Sequence, residues 1–234
     1  VIAAILYSEN GYNERESNPR TRFAVALLQH QHTDMADTLE IRHHPSPDKA
    51  PRVAAGCRIY AIGDIHGRAD LLRRLHGKIA ADMAKGAPER LVLVYLGDYV
   101  DRGPDSFEVI NLLINDPIPG FEAVYLKGNH EDFLLRFIDA KDRGETWLMN
   151  GAPATLASYG IDVFGIADRF LDMEAVRDDF QAALPASHLR FLRNLTLSHR
   201  AGDYLFVHAG IRPDVPVDEQ DPFDMMWIRD EFLC

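Results

Sequence analysis

Residues 58–67 read RIYAIGDIHG, an apolar run that stops at Gly63 and delivers Asp64 and His66. The same grammar returns in LVLVYLGDYVDRG at 91–103, FEAVYLKGNHE at 121–131 and YLFVHAG at 204–210. The apolar parts (58–62, 91–96, 121–126 and 204–207) are rich in Val, Ile, Leu, Tyr and Phe. They are too short for helices, which predicts strands. Helical patterns lie between them. Over 69–85, Leu72, Leu75, Ile79 and Met83 share one face, and Asp70 stands near the positive end of the helix dipole. Residues 105–115 and 131–140 behave alike, and further helices are expected at 173–183 and 186–194, either side of Pro185. Strand, polar turn and helix in repeated succession predict an α/β domain. Its polar residues gather at the carboxyl ends of strands, where open α/β sheets place their sites.

The composition agrees with a globular chain: 234 residues, 47% apolar and 26% charged. Acids outnumber bases 36 to 25, and residues 161–234 alone hold 14 acids against 7 bases. No basic stripe is present, so nucleic acid is not an expected partner. Cys57 and Cys234 form no CxxC pair, which excludes a disulfide framework and a cysteine zinc site. No apolar run approaches the length that spans a bilayer, so no membrane partner is expected. Glu9 and Glu14, not a small-residue cleavage site, follow the short opening run VIAAIL. A signal peptide is therefore not expected, and the expected compartment is the cytoplasm.

Residues 41–56 contain three prolines and read as a linker. They divide the chain into an N-terminal extension with linker, 1–56, and a domain over 57–234. Within the extension, Phe23, Ala26, Leu27 and His30 recur at helical spacing, which predicts a helix inside 21–40. Met35 opens MADTLE just before the linker. Two readings stay open: residues 1–34 lie upstream of the folded protein, or they hold a short helix packed on the domain.

The strand-end clusters hold Asp64 and His66, Asp98, Asp101 and Arg102, Asn129 and His130, and His208. Carboxylates, imidazoles and an amide oxygen together suit a divalent ion such as Mn, Fe or Zn. Asp64 and His66 are two apart on a segment read as extended, so both would face one side and clamp one ion. Asn129 and His208 would hold a second ion, with Asp98 between the two. Any one cluster is explained as well by turn capping and glycine turns. Four of them, each at a predicted strand end, are not.

GDIHG at 63–67, GDYVDRG at 97–103, GNHE at 128–131 and HAG at 208–210 resemble, in order and spacing, the signature blocks of the phosphoprotein phosphatase family of metallophosphoesterases. WLMNG at 147–151 and WIR at 227–229 are similar to its bacterial and phage branch. The resemblance implies a two-sheet β-sandwich flanked by helices, with a dimetal site at one edge. It implies that Asp64 and His66 bind the first metal, that Asp98 bridges, and that Asn129 and His208 bind the second. His130 would be the general acid, Asp101 the carboxylate orienting it, and Arg102 and Arg229 the holders of phosphate oxygens. A metal-bridging hydroxide would then attack phosphorus in line, with no phosphoenzyme.

One departure stands out. The family carries another histidine of the second metal in a GH or GHT block, several tens of residues beyond HAG. Here 24 residues follow Gly210, none of them His. The expectation is a chain incomplete at its C-terminus, without the closing strands, or diverged at that ligand.

Three functions compete. The leading one is hydrolysis of protein phosphoserine and phosphothreonine, with phosphotyrosine or small phosphoesters as looser substrates. The second is that of the related diadenosine tetraphosphate hydrolases, which tend to carry GNHD and to depart from VDRG, so Asp101 and Glu131 favour the first. The third is a non-catalytic remnant of the fold. Arg68 and Arg212 beside site glycines are weaker substrate contacts. Trp147 and Asn150 are read equally well as packing and capping. His43, His44, His76, His188 and His199 read as packing or solvent-facing, and the acid run from Asp214 to Asp224 as a solvated loop.

Overall fold

The computed structural model describes residues 2–8, 22–28, 52–83, 88–161 and 172–233. Strands β3 (Cys57–Ile62), β4 (Arg90–Tyr95) and β5 (Glu122–Tyr125) run parallel side by side, with Val92 paired to Ile59 on one side and Glu122 on the other. Two antiparallel strands, β1 (Ile2–Ser8) and β2 (Arg22–Leu28), extend the sheet beyond β3 in the order β2-β1-β3-β4-β5.

The period-two alternation of a strand sorts the side chains of β3 and β4 into two cores. Tyr60, Ile62, Leu91, Leu93 and Tyr95 face one layer, while Ile59, Val92 and Val94 face the other. Helices α1 (Ala69–Met83), α2 (Ser106–Asn115) and α3 (Asn129–Ile138) follow β3, β4 and β5 in turn. With α4 (Glu145–Met149), α5 (Ala152–Ser158), α6 (Met173–Ala183) and α7 (Ala186–Arg193) they supply the first core. Against the other core packs a two-stranded antiparallel sheet, β6 (Ser198–Ala201) and β7 (Tyr204–Val207), through Ala201, Tyr204 and Phe206. Each of Val92, Leu93 and Val94, essentially without exposure, stabilises the sheet by about 1.5–3 kcal/mol through burial. The chain closes with α8 (Pro222–Trp227) and α9 (Asp230–Leu233). No described helix is long and apolar enough to cross a membrane.

The α/β reading and its strands therefore stand, each within about two residues of its expected bounds. Three expectations need correction. Arg22–Leu28 is a strand, not part of a helix; it finds a backbone partner in β1, which helical spacing does not register. Helices α4 and α5 were not anticipated, being too short for a periodic signal. The acid run is not a simple solvated loop: Val217–Glu219 forms a 3₁₀ turn, and Asp221 caps α8 by accepting the Phe223 N–H at 2.8 Å. Within α8, Asp224 takes two hydrogen bonds from Arg212, at 2.8 and 2.9 Å.

Candidate active site

The loops leaving β3, β4 and β5 are stitched to one another before any side chain acts. Ile65 and His66 both donate their N–H to the Asp98 carbonyl, at 2.9 and 2.8 Å, and Gly67 donates to Tyr99 at 2.9 Å. Among the described residues six non-glycines have a positive φ, and four of them stand here: His66, Asp98, Asp101 and Arg102. Such conformations cost about 1–3 kcal/mol each and concentrate where geometry serves chemistry. A Cβ on Gly128 would collide with the Asp98 carboxylate, so only glycine lets these two loops close.

Three imidazoles surround one carboxylate oxygen. The Nε2 atoms of His66, His208 and His130 lie 3.6, 3.6 and 3.9 Å from Asp98 Oδ2, close enough to share an ion. His66 Nδ1 donates to the Val100 carbonyl at 2.9 Å and His208 Nδ1 to the Leu96 carbonyl at 2.8 Å. A carbonyl only accepts, so the proton on each ring's Nδ1 leaves Nε2 as the nitrogen that faces inward and can offer a lone pair to an ion. Burial pulls His66 down to about 3, the Val100 bond opposing it and the Arg102 and His130 charges adding to it; the ring stays neutral at ordinary pH. Burial also pushes the Asp98 carboxyl up.

His208 Nε2 faces Asn129 Oδ1 at 2.9 Å. Two acceptors at that spacing suit neighbouring ligands on one ion, given metal–ligand distances of about 2.0–2.2 Å. Among the described residues, two groups bring ligand atoms within 4.8 Å of one another: His66 with Asp98 and His130, and Asp64 with Asp98 and His208. Asp98 belongs to both, as a bridging ligand must. The donor set therefore fits a dimetal site. Asp64 and His66 fall into different groups, each of which contains Asp98. The φ of 44° at His66 turns the chain there, so the two-residue alternation does not apply.

Beside this cluster, His130 Nδ1 donates to Asp101 Oδ2 at 2.7 Å, with Asp101 fully buried. Burial alone would lower the His130 pKa. The bond to Asp101 and the charges of Asp98, Asp101 and Glu131 outweigh it and raise it. Arg102 lies between two rings, Nη1 donating to His66 Nε2 at 2.8 Å and Nη2 to His130 Nε2 at 3.0 Å.

Arg229 is exposed, and its guanidinium donates to the Ile228 carbonyl at 2.9 Å; among the described residues it forms no hydrogen bond with the cluster. Arg68 is engaged by Asp70 and Arg212 by Asp224. Asn150 caps α4 through the Thr146 carbonyl at 2.7 Å. His188 is buried and bonded to the Tyr159 hydroxyl, and His76 to the Tyr95 hydroxyl, each at 2.9 Å. His43 and His44 lie outside the described residues. Residue reading left Trp147 undecided and passed over Thr155; both bond the Asp101 carboxylate, at 2.8 and 2.6 Å. WLMNG pointed to the first, and nothing in the local sequence marked the second.

The chain is 39% identical over 94 residues to Serine/threonine-protein phosphatase 2 of Escherichia coli (strain K12), a match covering 40% of this chain and 38% of that protein. It is 33% identical over 155 residues to the symmetrical bis(5'-nucleosyl)-tetraphosphatase of Methylococcus capsulatus (strain ATCC 33009 / NCIMB 11132 / Bath), covering 66% of this chain and 44% of that protein. To the asymmetrical bis(5'-nucleosyl)-tetraphosphatase PrpE of Halalkalibacterium halodurans it is 27% identical over 158 residues, covering 65% and 57%. It thus spans 38–57% of the length of these relatives. The calcineurin-like phosphoesterase family matches residues 57–232, a stretch that contains every loop described above, and the chain belongs to that family of metal-dependent phosphoesterases.

Proposed function

We propose that this site hydrolyses phosphate monoesters on serine and threonine side chains of proteins. The observation that supports this reading best is the 2.7 Å bond from His130 Nδ1 to the buried Asp101 carboxylate. An alkoxide is a strongly basic leaving group and needs a proton as it departs. A nucleotide or polyphosphate leaves readily without one. A histidine held as an acid, its pKa raised by Asp101 and its neighbours, is therefore matched to an alkyl ester.

Asp64, His66, Asp98, Asn129 and His208 would hold two divalent ions, Mn(II) being the proposed metal and Fe or Zn the alternatives. Bound there, the ions supply Lewis acidity toward phosphoryl oxygens and acidify the attacking water. Arg102 does two things in this scheme. Its guanidinium binds phosphoryl oxygens, and in doing so it releases His130 Nε2, which cannot both carry a proton and accept from Arg102. His130 then gives that proton to the departing serine or threonine oxygen, while Asp101 stabilises the imidazolium. Arg229, which is exposed, is assigned to the same phosphate on the family resemblance of WIR.

A second reading is cleavage of dinucleoside tetraphosphates. It is favoured by the longer match to the symmetrical tetraphosphatase, 66% of this chain against 40% for the protein phosphatase. A substrate panel with Mn(II) decides between them: a phosphothreonine peptide, p-nitrophenyl phosphate and diadenosine tetraphosphate. The first reading predicts that kcat/KM is highest for the phosphopeptide. Preference for the dinucleotide by tenfold or more would replace it with the second.

A further inference from the structure

Asp101 sits in a buried cradle of hydrogen-bond donors. The residue is fully buried, as is Thr155, and Trp147 is 1% exposed. Its Oδ2 accepts from the Trp147 indole Nε1 at 2.8 Å as well as from His130 Nδ1 at 2.7 Å. Its Oδ1 accepts from the Thr155 hydroxyl at 2.6 Å. Thr155 has one proton to give, so its Oγ1 must be the acceptor in its other contacts, the Asp101 N–H at 2.8 Å and the Ser106 hydroxyl at 2.9 Å. Ser106 Oγ also receives the Asp101 N–H, at 3.1 Å. The hydroxyls of α2 and α5 thus hold the Asp101 backbone at its φ of 72° while Thr155 and Trp147 hold its two carboxylate oxygens.

We propose that Thr155 and Trp147 are positioning residues: they fix the Asp101 carboxylate so that His130 keeps its proton on Nδ1 and presents Nε2 to the leaving group. The inference rests on the phosphomonoesterase reading above. An indole N–H can only donate, and a hydroxyl that accepts from two donors can only give its own proton to Oδ1. The carboxylate therefore has no freedom to turn, and the imidazole that bonds it inherits that orientation. Without Thr155 as donor, Oδ1 is left buried and unpartnered, and rotation of the carboxylate lengthens the bond to His130. The substrate does not touch these two residues, so its binding is not altered.

The test compares Thr155→Val, Thr155→Ser and Trp147→Phe in the full chain with Mn(II), using an alkyl phosphate (a phosphothreonine peptide) and an aryl phosphate (p-nitrophenyl phosphate). Loss of an outer hydrogen-bond partner of an active-site group typically lowers activity by about 10–100-fold. That fall is expected in kcat for Thr155→Val on the alkyl ester, with KM unchanged and a much smaller loss on the aryl ester. Thr155→Ser, which keeps the donor, is expected to restore kcat. Equal losses on both esters, a change confined to KM, or undiminished turnover by a folded Val variant overturn the proposal. Should Thr155→Val fail to fold, Trp147→Phe carries the same comparison. The His130 Nδ1 proton resonance supplies a readout without turnover: it is expected to move in the Val variant and return in the Ser variant. If the wild-type chain cleaves neither ester, the functional reading fails, and this resonance alone decides the positioning; an unmoved resonance rejects it.

Discussion

Glu131 holds Asp98 by its backbone. One carboxylate oxygen of Glu131 accepts the Asp98 N–H at 2.8 Å and the Gly128 N–H at 3.0 Å. The other accepts from Tyr99 at 2.7 Å and from Val100 at 3.3 Å. A single fully buried side chain on α3 therefore ties the loop after β4 to the loop after β5. The two loops carry Asp98 and Asn129, whose relative placement sets the cluster. Burial raises the Glu131 pKa, while four N–H donors favour its charged form.

Glu131→Gln keeps the length of the side chain but replaces one acceptor oxygen with a donor. That leaves buried N–H groups without partners, at about 1–3 kcal/mol each. The expected loss in urea unfolding is roughly 2–5 kcal/mol, with weaker metal binding alongside. A variant as stable as wild type would show that the four bonds contribute little.

His130→Asn should lower kcat on a phosphothreonine peptide by roughly 10²–10⁴, the weight of a general acid. On p-nitrophenyl phosphate, whose leaving group needs little protonation, the loss should shrink. Equal losses would assign His130 a different role.

Asp98 belongs to both ligand groups, whereas His208 belongs to one. Titration calorimetry with Mn(II) should therefore find both binding events weakened in Asp98→Asn and one selectively weakened in His208→Ala. For the wild-type chain, Mn(II) at about one hundred times its Kd should stabilise folding by about 2.7 kcal/mol, and chelation should reverse it. A Tm indifferent to Mn(II) and to chelator would argue against a metal centre.

His76, half-buried in α1 and bonded to the Tyr95 hydroxyl at 2.9 Å, offers a test away from the cluster. Burial lowers its pKa from 6.5 to about 4, so the folded protein resists a proton that the unfolded chain accepts. Its contribution is complete above pH 6.5 and is lost as pH falls from 6.5 toward 4. After a discount for its partial exposure the loss is about 2 kcal/mol. His76→Gln, which keeps a hydrogen-bond partner for Tyr95 and does not titrate, should flatten the stability profile in that window. An unchanged profile would show that other groups set it.

Strand and helix order from Cys57 onward was legible because each element carries its own period and stops at its own glycine, as RIYAIG and LVLVYLG do. The chemistry was legible for the same local reason: Asp64, His66, Asp98, Asn129 and His130 stand at the exits of the parallel strands, and His208 at the exit of β7 in the antiparallel pair. Three things had no local signal. The left-handed conformation of His66, which takes its segment out of the extended form expected for it, is not written in the residue type. Asp101 reaches His130 across 29 residues, a pairing implied only by the family resemblance of VDRG and GNHE, and Thr155 reaches Asp101 across 54. Hydrogen bonds of such span leave no periodicity in the chain, since any hydroxyl on the right turn of α5 would read the same. Amino-acid order alone thus determined which groups are present and at which end of the sheet they collect. Tertiary packing decided which oxygen meets which nitrogen, because a buried carboxylate takes its orientation from whichever donors the fold brings within 3 Å.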